Sequence, residues 1–107
     1  MSENPVDLLL GVDIGTSSAK GVVARADGRI VAQAQTPHSA SLPRPGWVEH
    51  DAETAWWGDF LTIAHELTAQ SAGLGRIVGV GISGIGPSLL PVDAEGRALR
   101  PAILILL

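Results

Sequence analysis

Near its start the chain runs Leu8-Leu9-Leu10-Gly11-Val12-Asp13-Ile14-Gly15-Thr16-Ser17-Ser18-Ala19-Lys20-Gly21-Val22-Val23. An apolar strand ends on one carboxylate, a glycine turn crowded with hydroxyls follows, and a lysine opens a second apolar strand. A carboxylate beside small donors is ill suited to a bare phosphate, because like charges repel. It suits a phosphate carried with a divalent cation. Asp13 would hold the metal or its water shell, while the N–H groups and hydroxyls of the turn face the phosphate oxygens. The segment is not a P-loop, since it lacks the G-x-x-x-x-G-K-[ST] spacing and leads into a strand instead of a helix.

The elements that must position this turn follow from hydrophobic pattern. Leu8–Ile14 is a near-continuous apolar run, as expected of a central strand buried on both faces. Ser18–Ala24 and Ile30–Thr36 continue as strands, joined by Ala26-Asp27-Gly28-Arg29, a hairpin signal in which Gly28 takes positive φ. Residues 36–50 carry Pro37, Pro43, Pro45 and Gly46 and read as a loop. Asp51 is the expected N-cap of a helix over Ala52–Ser71, with Trp56, Phe60, Ile63, Ala64 and Leu67 on one face and Gly73 and Gly75 as the stop. Ile77–Ser83 has the pattern of a buried parallel strand whose glycines admit a close neighbour. A short strand at Leu89–Val92, a second Asp-Gly-type turn at residues 93–97 and a last strand at Ala102–Leu107 complete the pattern.

A three-strand meander, a helix and a returning strand form the opening of a ribonuclease-H-like α/β lobe, with a right-handed crossover expected. Ligands of open α/β sheets sit off the carboxyl ends of the strands, where Asp13 and Ser83 would lie.

Composition narrows the function classes. With 107 residues the chain makes at most one domain, and a hydrophobic content of 46% suffices for a packed core. The net charge of −4, with no basic run, argues against a nucleic-acid partner. The absence of cysteine rules out disulfides and thiolate zinc sites. The acidic N-terminus does not read as a signal peptide, and Ala102–Leu107 is too short to span a bilayer, so a cytoplasmic protein without membrane contact is expected. His38, His50 and His65 show no metal-ligand spacing and read as isolated, structural or solvent-facing residues. Trp56 reads as core, and Trp47 as partly exposed. Ser83 lies outside a G-x-S-x-G elbow, which argues against a serine nucleophile.

Residues Gly11 to Lys20 resemble the first phosphate motif of the actin-like ATPase superfamily, which includes sugar kinases and actin. Pro45-Gly46-Trp47-Val48-Glu49-His50-Asp51, ahead of a tryptophan-rich helix, resembles the FGGY carbohydrate kinases closely. Gly81-Ile82-Ser83-Gly84, Pro91-Val92-Asp93 and Gly96-Arg97-Ala98-Leu99-Arg100-Pro101-Ala102-Ile103-Leu104 agree with that family and fall in family order.

The resemblance implies an ATP- and Mg²⁺-dependent phosphotransferase acting on a small sugar or polyol, with residues 1–107 forming the N-terminal part of its first lobe. Asp13 would organise the metal-bound phosphates; Gly15, Thr16, Ser17 and Ser18 would approach the β- and γ-phosphates; Lys20 would offset their charge. Ser83, Gly84, Ile85 and Gly86 would border the substrate. No residue of this segment is expected to be catalytic. The aspartate that deprotonates the sugar hydroxyl is expected downstream, as is the second lobe with its adenosine pocket, so little activity is expected of the segment alone.

Two departures from the family stand out. Ile85-Gly86-Pro87-Ser88 occupies the place where glycerol kinases carry an Arg-Glu pair and xylulose kinases a Gln-Met-His run, which leaves the sugar unassigned. Ile105-Leu106-Leu107 stands where an aromatic residue and an Asp-x-Arg motif are usual. An alternative is a non-catalytic nucleotide-binding or scaffold module of the same fold. An unpaired apolar edge at Ile103–Leu107 would favour homo-oligomers.

Overall fold

The computed structural model describes residues 6–105. In chain order its elements are β1 (Asp7–Ile14), β2 (Ser18–Arg25), β3 (Ile30–Pro37), β4 (Val48–His50), a π-helical segment (Ala52–Gly58), α1 (Asp59–Ser71), β5 (Arg76–Gly84), β6 (Ser88–Leu89) and β7 (Ala102–Leu104). The three-strand meander forms as expected, with Gly28 at φ 91° in its second turn and Asp27 Oδ1 accepting the Arg29 N–H at 2.9 Å. After the helix the chain returns as β5, parallel to β1, to give the mixed sheet β3-β2-β1-β5. One β-bulge interrupts the β1–β5 ladder: Leu8 pairs with Ile77 but Leu9 with Gly79.

The core lies between this sheet and α1. Leu8, Leu10 and Val12 of β1 and Ala19 and Val23 of β2 alternate onto one face and meet Ile63 and Leu67 of the helix. Gly21 makes the close approach possible. A Cβ there would collide with Ile63 Cγ2, lie 2.8 Å from Leu67 Cδ1 and 3.3 Å from the Gly11 carbonyl oxygen. The helix begins where the sequence places it, since Asp51 Oδ1 accepts the N–H groups of Glu53 and Thr54. It ends at Ser71, and the chain turns away at Gly73, whose φ is 84°.

Several expectations need correction. Neither β1 nor β5 is buried on both faces: Leu9 is 46% exposed and Val80 58% exposed, because α1 covers one face of β1–β3 and does not reach over the β5 edge. Among the glycines of β5, Gly79 meets the Leu9 side chain, but a Cβ at Gly81 would enter open space. The helical span opens as a wide π turn before becoming α-helical at Asp59. Prolines do not keep residues 36–50 wholly irregular: Ser41 bridges Glu49, and β4 follows as an edge strand, where proline neighbours are tolerated.

The last strand does not offer an open edge. β7 is the central strand of a second antiparallel sheet, β4-β7-β6, with Ala102 and Leu104 buried. It ends at Leu104, and the expected continuation to Leu107 runs partly outside the described residues. The expected strand at Leu89–Val92 reduces to β6 and an isolated bridge between Val92 and Ala98, which closes the turn at Gly96.

Candidate functional site

Register places three of the expected site residues in one line. Asp13 of β1 is paired with Lys20 of β2 on one side and with Ser83 of β5 on the other. Residues directly opposite one another share a sheet face, so all three project from the face opposite α1. The Ser83 hydroxyl donates to Asp13 Oδ1 at 2.7 Å, which fixes the carboxylate at the carboxyl ends of both parallel strands. The three residues line a shallow groove together with Gly11 and Gly81.

The turn beside this line is tight. The Gly15 N–H donates to the Ser18 carbonyl at 2.8 Å, and a Cβ at Gly15 would stand 3.1 Å from the same oxygen. Thr16 and Ser17 form its tip, with Ser17 exposed. The carbonyls of the turn point inward. Gly15 O accepts from His38 Nε2 at 2.8 Å, Thr16 O from His50 Nε2 at 2.9 Å, and Ser17 O from the His38 N–H at 3.0 Å.

These histidines are therefore not isolated, as their sequence spacing implied. Their rings meet edge to face with centroids 4.8 Å apart. His38 Nδ1 donates to Asp59 Oδ2 at 2.6 Å, and Trp56 Nε1 donates to His50 Nδ1 at 3.0 Å. Burial lowers the His50 pKa below its ordinary value, with His38 adding to the shift and the Thr16 carbonyl and Asp59 opposing it. Trp56 is half-buried and tied into this network, so it is not simple core. The sequence signal for the network is thin: each partner lies on a separate element, and only the tertiary fold brings them together. His65 is exposed, as expected.

On the opposite side of the sheet, a cleft of about 480 Å³ opens between the π-helical segment and the end of β5. Its walls include Trp56, Trp57, Phe60, Ile82 and Ile85, with Ser83 and Gly84 at the sheet end. Trp57 is 55% exposed and stacks on Phe60 at a 5.6 Å centroid separation. Gly86 is not part of that wall; its carbonyl accepts the Ser88 N–H at 2.9 Å. The expected substrate run thus divides, with Ser83, Gly84 and Ile85 at the cleft and Gly86 in the turn behind it. Trp47 is half-exposed under the Arg44 guanidinium, 5.0 Å from the ring centre.

Among the described residues, no group of three or more His, Cys, Asp or Glu side chains converges as a metal site. Asp13 offers a single exposed carboxylate, which fits Mg²⁺, a cation that keeps several waters and shares phosphate oxygens with one or two carboxylates.

A family model described as the FGGY family of carbohydrate kinases, N-terminal domain, matches residues 8–106. The chain belongs to this family. Similar FGGY relatives include a glycerol kinase of Nocardia farcinica, 37% identical over 93 residues, a match that takes in 86% of this chain and 19% of the relative. A glycerol kinase of Verminephrobacter eiseniae is 41% identical over 75 residues, covering 70% of this chain and 15% of the relative. Among solved structures, xylulose kinase from Rhodospirillum rubrum superimposes with a TM-score of 0.85 at 33% identity, over 91% of this chain and 20% of that one. The chain therefore spans only about a fifth of the length of the FGGY proteins it matches. Its fold is the mixed α/β arrangement of the actin-like ATPases, as a partial domain.

Proposed function

We propose that this chain forms the phosphate-binding part of an ATP-dependent sugar or polyol kinase, which transfers the γ-phosphate of ATP to a substrate hydroxyl with Mg²⁺. The observation that carries the reading is the line Lys20–Asp13–Ser83 beside the Gly15–Ser18 turn. One carboxylate, one cation and a turn of backbone donors meet at the carboxyl ends of β1 and β5, the arrangement a metal-bound phosphate chain requires. Asp13 would hold Mg²⁺ or its water shell, and the bound ion would neutralise charge on the phosphates. Gly15, Thr16, Ser17 and Ser18 would face the β- and γ-phosphates, and Lys20 would balance their charge. Ser83, Gly84, Ile85 and Gly86 would border the sugar, with the aromatic cleft beside the first three offering an apolar wall.

Family relatives described as glycerol kinases and xylulose kinases support a small polyhydroxylated substrate. The expected protein is cytoplasmic and acts without nucleic acid or membrane; any self-association would use the exposed edges of β3 and β5. The test is a panel of sugars and polyols with Mg-ATP, run on the full-length protein and on its Asp13→Asn variant. Phosphorylation of at least one substrate is expected. The variant should lose at least about a hundredfold in turnover while keeping its circular dichroism. Near-normal turnover would remove Asp13 from the site. Mg-nucleotide binding that no sugar alters, with no product formed, would favour the non-catalytic nucleotide-binding module.

A further inference from the structure

Two consecutive carbonyls of the β1–β2 turn are held by two histidines from elsewhere in the chain. His38 follows β3 and binds Gly15 O; His50 ends β4 and binds Thr16 O. Each ring is locked from behind, His38 by the Asp59 carboxylate and His50 by the Trp56 indole N–H. Because Trp56 donates to His50 Nδ1, that ring must carry its proton on Nε2 to donate to Thr16 O.

A trans peptide is planar, and its C=O and the following N–H point to opposite sides. Among the described residues the backbone contains no cis bond. Drawing the Gly15 and Thr16 carbonyls toward the histidine pair therefore turns the N–H groups of Thr16 and Ser17 away from it. Successive N–H groups presented on one side make an anion-binding concavity.

We infer that His38 and His50 are positioning residues for phosphate: they orient the Gly15–Thr16 and Thr16–Ser17 peptide planes so that both N–H groups meet the phosphate of the magnesium nucleotide. The inference rests on the kinase reading and adds to it the part that fixes the turn. A leucine at position 50 would fill much of the same space but leave the Thr16 carbonyl without its donor. A glutamine would restore a donor close to the Nε2 position.

The experiment compares His50→Leu, His50→Gln and the wild-type full-length protein by steady-state kinetics and by Mg-ADP titration. His50→Leu should raise the KM for Mg-ATP and the Kd for Mg-ADP roughly five- to tenfold. The sugar KM should stay within twofold, and His50→Gln should recover most of the loss. His38→Leu should act in the same direction. Equal nucleotide affinity in wild type and both leucine variants would overturn the inference, as would a parallel loss of sugar affinity. A measurement on the wild type guards against variants that fail to fold: imidazole ¹⁵N spectra should show His50 protonated at Nε2 only, and a proton on Nδ1 would overturn the arrangement. Failure of the wild type itself to bind Mg-ADP would reject the kinase reading and this inference with it.

Discussion

His50 works as a neutral ring, taking the Trp56 N–H on one nitrogen and giving a proton to Thr16 O from the other. Protonation at Nδ1 would set two N–H groups against each other. Burial accordingly depresses its pKa below the ordinary 6.5. In the window between the depressed folded value and 6.5, the unfolded chain binds the proton more readily than the folded one, so stability rises with pH there. The contribution is fully present above pH 6.5 and is lost as the pH falls through the folded value. Urea midpoints should therefore drop as the pH is lowered below 6.5, and the His50→Gln variant should show a shallower drop. Parallel pH profiles for the two proteins would show that His50 is not the titrating group. The groups facing the ring from its surroundings, His38 and Asp59, act in opposite directions, so neither reverses the sign set by burial.

At the scale of elements, β2 serves two faces at once. Lys20 points to the groove beside Asp13, while Gly21 provides the flat surface against which α1 lies. The clashing atom at Gly21 is Cγ2 of Ile63, a β-branched side chain that cannot swing aside without changing χ1. Gly21→Ala should therefore destabilise by about 1–3 kcal/mol, beyond the few tenths gained by restricting the unfolded chain. A urea titration measures this, and an unchanged midpoint would mean that α1 can shift outward at no cost. Elements of this kind were legible in the sequence to different degrees. The meander, the Asp51 cap and the Gly28 turn rest on local chemistry, and their residues announce them. β4 does not: a three-residue strand carries too few alternations to read, and it exists because β7, legible as the strand opening at Ala102, pairs with it. The aspartate and its turn could be found from residue types at close spacing. The histidine pair could not, because His38 and His50 are joined to Gly15 and Thr16 by contacts 23 and 34 residues long in sequence.

The whole molecule is long for its size. Its radius of gyration is 16.4 Å, against about 13 Å expected for a compact domain of this length. The extents of 62 × 29 × 20 Å reflect two sheets with separate interiors, the larger under α1 and the smaller around Ala102 and Leu104. Tertiary protection should follow that division. Amide hydrogen exchange is expected to be slowest in β1 and β2, paired on both edges and covered by the helix, and clearly faster in β6 and β7. Uniform protection across both sheets would mean that they open as a single unit. The buried Glu49 carboxylate, paired with the Arg100 guanidinium, clips the smaller sheet to the loop that follows the Gly96 turn. The exposed row Val78, Val80 and Ile82 lies along the β5 edge, beyond the reach of the helix.

The bulge near the start of β5 has a consequence at the far end of the strand. Before it, partners across β1 and β5 differ by 69 in number; after it they differ by 70. Without that extra residue, Asp13 would stand opposite Ile82 in place of Ser83. A hydrocarbon branch would then meet the carboxylate, and the serine would turn toward the aromatic cleft. The odd or even count of residues roughly 17 Å away, at about 3.3 Å per residue, thus selects which side chain greets Asp13.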